Sequence, residues 1–301
     1  MNQSPTTDGQ AMRIDAHQHF WQYSPADYPW ISERMQRIAR NELPGDLEPL
    51  LSAAGLDGSV AVQARQSLEE SRWLLELAAK PLNRILGVVG WVDLQSEQVT
   101  EQLETLATDP RFVGVRHVVQ DEPDPAFLLG EAFVRGISQL ARHGLTYDLL
   151  LYPPQLPAAT ELAGLLPEQP FVLDHLGKPG IGKRLMQPWR TDLEALAALA
   201  NVSCKLSGLV TEAAWQGWTK EDFRPYLEVA LEAFGPQRLM FGSDWPVCLV
   251  AAEYAEVLGI VEDFLSPLSA DEQALVFGGT AASFYRLTTP GKECGDAGSA
   301  V

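Results

Sequence analysis

Two histidines separated by one residue stand at the end of the first predicted strand of the chain. Segment 12–16 is short and mostly apolar, and His17 and His19 follow it. Residues two apart on a strand point to the same side, so both imidazoles would project together from the strand tip. Such a pair can bind a cation or stabilise an oxyanion. A hydrogen-bonded pair in a polar core is the structural alternative for an isolated H-x-H motif.

A carboxylate near the other end of the chain makes the chemical interpretation stronger. Segment 238–244 also reads as a buried strand, and it ends in Asp244, directly before Trp245 and Pro246. An aspartate that caps a loop or pairs with a buried arginine is the structural alternative. A carboxylate that faces imidazole groups can instead act as a general base on water. The histidine pair and Asp244 must then meet in one pocket.

The pattern of the chain predicts a scaffold that brings its two ends together. Eight short segments rich in β-branched residues precede longer segments with helical spacing. The predicted strands are 12–16, 57–64, 84–93, 112–118, 145–152, 170–177, 202–208 and 238–244. The predicted helices are 68–78, 99–107, 127–143, 158–166, 189–200, 224–234, 252–265 and 270–277 with 281–285. Parallel strands need such crossover helices.

Eight strand–helix units favour a single-domain (β/α)8 barrel, the TIM barrel, for which ~250 residues is typical. A doubly wound open sheet is the alternative, and the absence of a glycine-rich phosphate turn after the first strand argues against it. We expect the barrel to span 12–287, with flexible tails at 1–11 and 288–301. The connection after the first strand is long and aromatic, with Trp21, Tyr23, Tyr28 and Trp30. It could be a loop packed on the outside or a lid over the barrel mouth.

Composition indicates an ordinary soluble globular protein. Hydrophobic residues make up 46% of the 301 residues and charged residues 21%. The formal net charge of −18 argues against nucleic acid or an anionic membrane as a partner. The sequence has neither a run of about 18 apolar residues nor a signal peptide, so we expect a cytoplasmic protein. Cys204, Cys248 and Cys294 show no metal or redox spacing.

Polar residues concentrate at the predicted carboxyl ends of the strands, which face one common pocket in such a barrel. Four of the five histidines lie at these ends, and the fifth, His143, precedes Gly144 at the end of a helix. The other candidates at strand ends are Gln63, Arg65, Arg116, His117, Asp148, Tyr152, His175, Lys178, Lys205 and Ser207. The concentration of these residues at the strand ends indicates a functional site, whereas any one of them alone would be weak evidence for it.

Four motifs together resemble the amidohydrolase superfamily. They are D-A-H-Q-H-F-W at 15–21, G-V-R-H at 114–117, D-H-L-G-K-P at 174–179 and F-G-S-D-W-P at 241–246. More narrowly, they resemble its branch of lactonases, which includes sugar-lactone and dicarboxylate-lactone hydrolases. The resemblance covers nearly the whole chain and implies a distorted (β/α)8 barrel. It matches His17 and His19 with the histidine pair of strand one, His175 with the histidine of strand six and Asp244 with the aspartate of strand eight.

The resemblance also bears on metal content. Binuclear members carry a carbamylated lysine on strand four, whereas segment 112–119 has no lysine and Arg116-His117 occupies its end. Lys205 lies on strand seven instead. The resemblance therefore implies one divalent metal ion, zinc or similar, held by His17, His19 and Asp244, with His175 as a further candidate. A metal-independent site is the alternative.

The predicted reaction is the opening of a sugar-acid (aldono-) lactone to the aldonic acid, as part of carbohydrate catabolism. We expect Asp244 to act as general base on water, and His175, Arg116 and His117 to stabilise the oxyanion. Residues expected to contact the substrate are Trp30, Arg65, Asp148, Tyr152, Lys178 and Lys205. The alternatives are hydrolysis of an anionic dicarboxylate lactone from aromatic catabolism, a zinc-dependent decarboxylase of the same superfamily, and a non-catalytic barrel that binds a small ligand.

Overall fold

The computed structural model describes residues 12–288, so the predicted tails lie outside the described residues apart from residue 288. Eight strands form one sheet. They are β1 (Ile14–Gln18), β2 (Gly58–Val62), β3 (Ile85–Gly90), β4 (Phe112–Val118), β5 (Thr146–Leu150), β6 (Phe171–Leu173), β7 (Val202–Leu206) and β8 (Leu239–Phe241). Each predicted strand is present, and β4 has the predicted bounds.

The strands are all parallel and are ordered in the sheet as they are in the chain. The two edge strands meet, because the segments that continue β1 and β8 pair through Gln18 and Trp245. The amide of His19 donates to the carbonyl of Trp245 at 2.7 Å, and the amide of Asp244 donates to the carbonyl of His17 at 2.8 Å. The sheet is therefore a nearly closed barrel. The predicted (β/α)8 fold is confirmed, and the open-sheet alternative is wrong.

Helices connect the strands on the outside of the barrel. They are α1 (Pro44–Ala53), α2 (Leu68–Ala78), α3 (Val99–Leu106), α4 (Glu131–Leu140), α5 (Leu156–Leu165), α6 (Trp189–Ala197), α7 (Leu209–Glu212), α8 (Lys220–Phe234), α9 (Tyr254–Leu265), α10 (Ala270–Ala274) and α11 (Thr280–Phe284). The sequence reading missed α1, since Pro44, Gly45 and Pro49 weaken its helical pattern. Proline is nevertheless tolerated in the first helical turn. No helix among residues 12–288 is long and apolar enough to cross a membrane.

The apolar core has two layers. The larger one lies between the strands and the helices, and the smaller one fills the lower barrel with side chains such as Ile14, Val60 and Val172. Helix α11 closes the bottom of the barrel, because Ala281 and the adjacent Tyr285 are buried against this inner layer. The upper barrel interior is polar instead, with buried side chains that include His17, Asp148, Lys205 and Asp244.

Strands β6 and β8 end earlier than predicted because the backbone leaves the extended conformation there. His175 and Leu176 after β6 have φ of 54° and 55°, and Asp244 after β8 has φ of 58°. Non-glycine residues rarely adopt this left-handed region, and such residues cluster at functional sites. Both motif residues, His175 and Asp244, are thus carried on sharp turns at the rim of the barrel.

Candidate functional site

Three imidazoles converge beside one carboxylate at the rim of the barrel. The Nε2 atoms of His17 and His19 lie 3.2 Å apart. Asp244 Oδ1 lies 3.8 Å from His17 Nε2, 3.4 Å from His19 Nε2 and 3.9 Å from His175 Nε2. All four side chains are at least nine-tenths buried. The structure therefore brings together the ends of β1, β6 and β8, as the sequence pattern predicted.

The second nitrogen of each imidazole is held by a neighbouring group. His19 Nδ1 lies 2.8 Å from the carbonyl oxygen of Val62. His175 Nδ1 lies 2.8 Å from Ser207 Oγ, and a carboxylate oxygen of Asp174 lies 3.2 Å from His17 Nδ1. For His19 and His175, an Nδ1–H that faces an oxygen leaves the Nε2 lone pair free, which is the arrangement of histidines that bind metals.

This donor set fits a divalent metal ion. Ligand atoms of His17, His175 and Asp244 lie within 4.8 Å of one another, and His19 Nε2 lies beside them. Nitrogen and carboxylate oxygen are the donors that bind zinc at about 2 Å. The fit rests on the chemistry and convergence of these atoms. The motif resemblance implied His17, His19 and Asp244 as ligands with His175 as a further candidate, whereas the structure groups His175 with His17 and Asp244.

Two glycines allow the cluster to be this compact. A Cβ on Gly208 would lie 2.5 Å from the ring of His175, and Gly208 has φ of 61°. A Cβ on Gly242 would lie 2.6 Å from Cβ of His17. Any side chain at either position would displace an imidazole, so both glycines are needed for close approach.

A charged network lies directly beneath His17. The Lys205 ammonium lies 2.5 Å from Asp148, 3.0 Å from Asp174 and 3.1 Å from His17 Nδ1, and its side chain is fully buried. The hydroxyl of Tyr285 donates to Asp148 at 2.9 Å. Arg116 Nη1 lies 3.1 Å from Asp174 and 3.3 Å from His17 Nε2. Charged side chains thus lie beside both nitrogens of the His17 ring.

Burial and these neighbours set the charge states. Burial lowers the pKa of His17 well below its ordinary value and lowers that of His175 to about 4, so both rings are neutral near pH 7. Burial alone would raise the pKa of the Asp244 carboxyl, but His175, His19 and His17 together lower it below its ordinary value. Asp244 is therefore ionised. Burial raises the pKa of Asp148 to about 6 despite its contact with Lys205.

A cavity of about 630 Å³ lies above the cluster. Among its lining residues are five that carry the predicted chemistry at the floor or rim: His19, Arg116, His175, Lys178 and Asp244. Its walls include three further predicted substrate contacts, Trp30, Arg65 and Tyr152. The structure thus places a pocket lined by both polar and apolar side chains over the cluster that contains Asp244.

The aromatic connection after β1 contributes to this cavity through one residue. Trp30 lines the cavity and is 37% exposed, whereas Trp21 and Tyr28 are buried. Trp21 packs against Trp30 with ring centroids 5.6 Å apart. The structure therefore combines both interpretations of this segment, because most of it packs on the barrel while Trp30 covers the mouth.

Three predicted site residues lie elsewhere, and these expectations are corrected. His117 points away from the barrel interior, where it contacts Glu122 at 2.8 Å and stacks on Phe127. Adjacent residues on a strand point to opposite sides, so only one of Arg116 and His117 can face the cavity. Asp148 and Lys205 face the barrel interior, yet they lie below His17 and do not line the cavity.

Three carboxylates of the site were not foreseen. Asp174 precedes His175 within a recognised motif, but its contact with His17 needs the barrel geometry to be visible. Asp27 and Glu212 line the cavity from the β1–α1 connection and from helix α7. Neither lies at a predicted strand end, so the reasoning that found the other candidates could not reach them.

Comparisons with known proteins agree with this geometry. The amidohydrolase family model matches residues 14–287. An L-fucono-1,5-lactonase of Burkholderia multivorans is 47% identical over 292 residues, 93% of this chain and 98% of that protein. An L-fucono-1,5-lactonase of Burkholderia ambifaria is 39% identical over 92% of this chain and 97% of that protein.

A solved structure extends the likeness to three dimensions. The crystal structure of an amidohydrolase from Burkholderia multivorans with bound Zn has a TM-score of 0.88 and 46% sequence identity. The match covers 92% of this chain and 100% of that chain. A match at this identity over nearly the full length extends well beyond the fold. With its four motifs gathered at one barrel rim, the chain belongs to the amidohydrolase family.

Proposed function

We propose that the protein is a lactone hydrolase that opens a sugar-acid lactone, with L-fucono-1,5-lactone as the first substrate to test. The observation that carries the proposal is the convergence of the ionised Asp244 with three imidazoles beneath a cavity at the barrel rim. The lactonases that share 47% and 39% identity support the same reaction.

Asp244 is the general base of this proposal. A water molecule in the cavity attacks the lactone carbonyl carbon while its proton passes to the Asp244 carboxylate. The imidazoles around Asp244 hold the carboxylate in place. Asp244 is ionised at neutral pH, and the ionised carboxylate is the form that can accept a proton. Arg116 carries a fixed positive charge at the cavity floor and stabilises the oxyanion that forms on the carbonyl oxygen.

Collapse of the tetrahedral intermediate breaks the bond between the carbonyl carbon and the ring oxygen. Asp244 returns its proton to that oxygen, which leaves as a hydroxyl group. The product is an open hydroxy acid whose carboxyl group ionises at neutral pH. One proton is therefore released to the solvent for each lactone opened.

The resident metal of this proposal is a divalent ion such as zinc. His17, His175 and Asp244 would hold it, with His19 as a further ligand, and it would supply a Lewis acid for the lactone carbonyl. Asp174 and Lys205 keep the His17 ring oriented through its Nδ1 atom. His19 and His175 are oriented by Val62 and Ser207 in the same way.

A pH-indicator assay tests the proposal. We expect acid release from L-fucono-1,5-lactone and from related aldonolactones at rates far above the blank without enzyme. The same panel includes a dicarboxylate lactone and an aromatic carboxylic acid. Carbon dioxide release from the aromatic acid with no lactone opening would instead indicate a decarboxylase, and no turnover of any kind would indicate a binding protein.

Metal dependence is measured in the same assay. Dialysis against a chelator should lower the rate, and addition of Zn²⁺ should restore it. An unchanged rate after dialysis, with metal content measured by mass spectrometry and found negligible, would show that the reaction needs no metal. The hydrolysis proposal would stand in that case, while the metal proposal would fail.

A further inference from the structure

Two positive side chains line the walls of the cavity, and each is paired with a carboxylate that also lines it. The guanidinium of Arg65 makes a short ion pair with Asp27 through Nη1, and its Nη2 lies 3.6 Å from Glu69. Arg65 is partly buried with 26% exposure, whereas Asp27 is exposed with 46%. The charge of Arg65 is therefore largely compensated before any ligand enters.

The second pair lies on the side of the cavity formed by β6 and α7. Lys178 Nζ lies 3.7 Å from Glu212 Oε1 and 5.3 Å from the centre of the Tyr152 ring. Both partners of the ion pair are at most one-fifth exposed. Burial raises the pKa of Glu212, whereas the nearby ammonium of Lys178 opposes that rise. Glu212 and Lys178 thus compensate each other inside the cavity.

The third cation of the lining is compensated from below. Arg116 lies 3.1 Å from Asp174 and also donates to the backbone carbonyl and the side chain of Gln63. Arg65, Lys178 and Arg116 therefore each contact a carboxylate, which Arg116 shares with Lys205. A ligand carboxylate would have to displace one of these partners or approach it as a like charge, and both are costly.

We propose that Asp27 and Glu212 are specificity-determining residues that make the cavity selective for neutral, polyhydroxylated lactones over lactones that carry a carboxylate. The inference rests on the proposed lactone hydrolysis and adds to it the charge of the substrate. An arginine or lysine freed from its partner would attract an anionic lactone. The ion pairs Arg65–Asp27 and Lys178–Glu212 instead present hydrogen-bond donors and acceptors to the ligand with little net charge.

Two lactones of matched configuration test the inference. L-galactono-1,4-lactone ends in a hydroxymethyl group, and the matching galactaro-1,4-lactone ends in a carboxylate. The ratio of kcat/KM for the anionic lactone to that for the neutral lactone is measured for the wild type, Asp27→Asn and Glu212→Gln. We expect each substitution to raise this ratio on the order of tenfold, since it frees one cation in a partly buried site.

Two controls isolate the cause. Asp263 pairs with Lys220 at 2.7 Å on the surface and lies outside the cavity, so Asp263→Asn removes the same charge and should leave the ratio unchanged. Addition of Arg65→Gln to Asp27→Asn should return the ratio towards the wild-type value, because the freed guanidinium is then absent.

The outcomes separate this inference from the proposed function. A wild type that opens neither L-fucono-1,5-lactone nor L-galactono-1,4-lactone would refute the proposed function. The specificity role alone would be refuted if the wild type opens these lactones but the anionic-to-neutral ratio of kcat/KM does not change. An unchanged ratio is one that, in both Asp27→Asn and Glu212→Gln, lies within twofold of the value for the wild type or for Asp263→Asn. If the ratio stays raised when Arg65→Gln is added to Asp27→Asn, the role assigned to Asp27 would likewise be wrong.

Discussion

Replacement of Lys205 by methionine should strongly destabilise the barrel. Lys205 is fully buried and its ammonium lies within 3.1 Å of Asp148, Asp174 and His17. Methionine fills similar space but leaves the two carboxylates without their shared cation. Loss of one partner from a buried ion pair costs about 3–5 kcal/mol. Tyr285 and Arg116 still contact the carboxylates, so we expect a loss near the lower end, about 3 kcal/mol.

Two further variants test whether charge is the cause. Asp148→Asn added to Lys205→Met removes one of the stranded carboxylates, so the double variant should be more stable than Lys205→Met alone. Lys220→Met breaks an exposed pair with Asp263, in which the side chains are 48% and 64% exposed. Such a surface pair contributes less than about 1 kcal/mol.

Urea unfolding at pH 7.5, followed by tryptophan fluorescence and circular dichroism, measures these differences. The reasoning predicts the order of stability wild type, Lys220→Met, double variant, Lys205→Met. If Lys205→Met lost no more than Lys220→Met, the buried network would not hold the charges that the structure indicates. A double variant as unstable as Lys205→Met would show that packing, rather than charge, accounts for the loss.

Three other predictions concern the base, the glycine contact and a buried glutamate. Asp244→Asn should lower kcat about 10²–10⁴-fold with an unchanged circular dichroism spectrum, and near-native turnover would refute its role as base. Gly208→Ala should lower kcat/KM at least about tenfold, because its Cβ would lie 2.5 Å from the His175 ring; wild-type kinetics would contradict this. Burial raises the pKa of Glu70 to about 7, so the folded state binds the extra proton between about pH 4.5 and 7, and stability falls as pH rises through that window. Urea unfolding at pH 4.5 and 7.5 should show a loss larger by on the order of 3 kcal/mol in the wild type than in Glu70→Gln, and parallel profiles would refute it.

The sequence predicted the barrel well because its strands are continuous apolar runs separated by helical spacing. Strand β4 has its predicted bounds, and the site residues at β1, β6 and β8 meet as the pattern required. The end of a strand was harder to place. Residues after β6 and β8 turn in left-handed conformations, which no apolar pattern reveals. Helix α1 was missed because its prolines and glycine resemble a loop.

The errors in the site have a geometric cause. A list of polar residues near strand ends records neither which side of the strand each residue faces nor how deep it lies. Arg116 and His117 are adjacent, so alternation sends one into the barrel and the other into the helix layer. Lys205 lies deeper in the barrel than the cavity lining. Asp27 and Glu212 come from a connection and a four-residue helix, whose positions depend on tertiary packing.

The buried network also explains why the upper barrel is charged at all. Branched apolar side chains usually fill a barrel of this type, and well-packed apolar residues can be more stable than a buried ion pair. Asp174 and Lys205 therefore do not serve stability best. Their contacts with Nδ1 of His17 hold the orientation of that ring, which no apolar residue could do. The network ends at Tyr285, next to the helix that closes the barrel bottom. The orientation of His17 at the rim is thus supported by contacts that extend through the barrel to its opposite end.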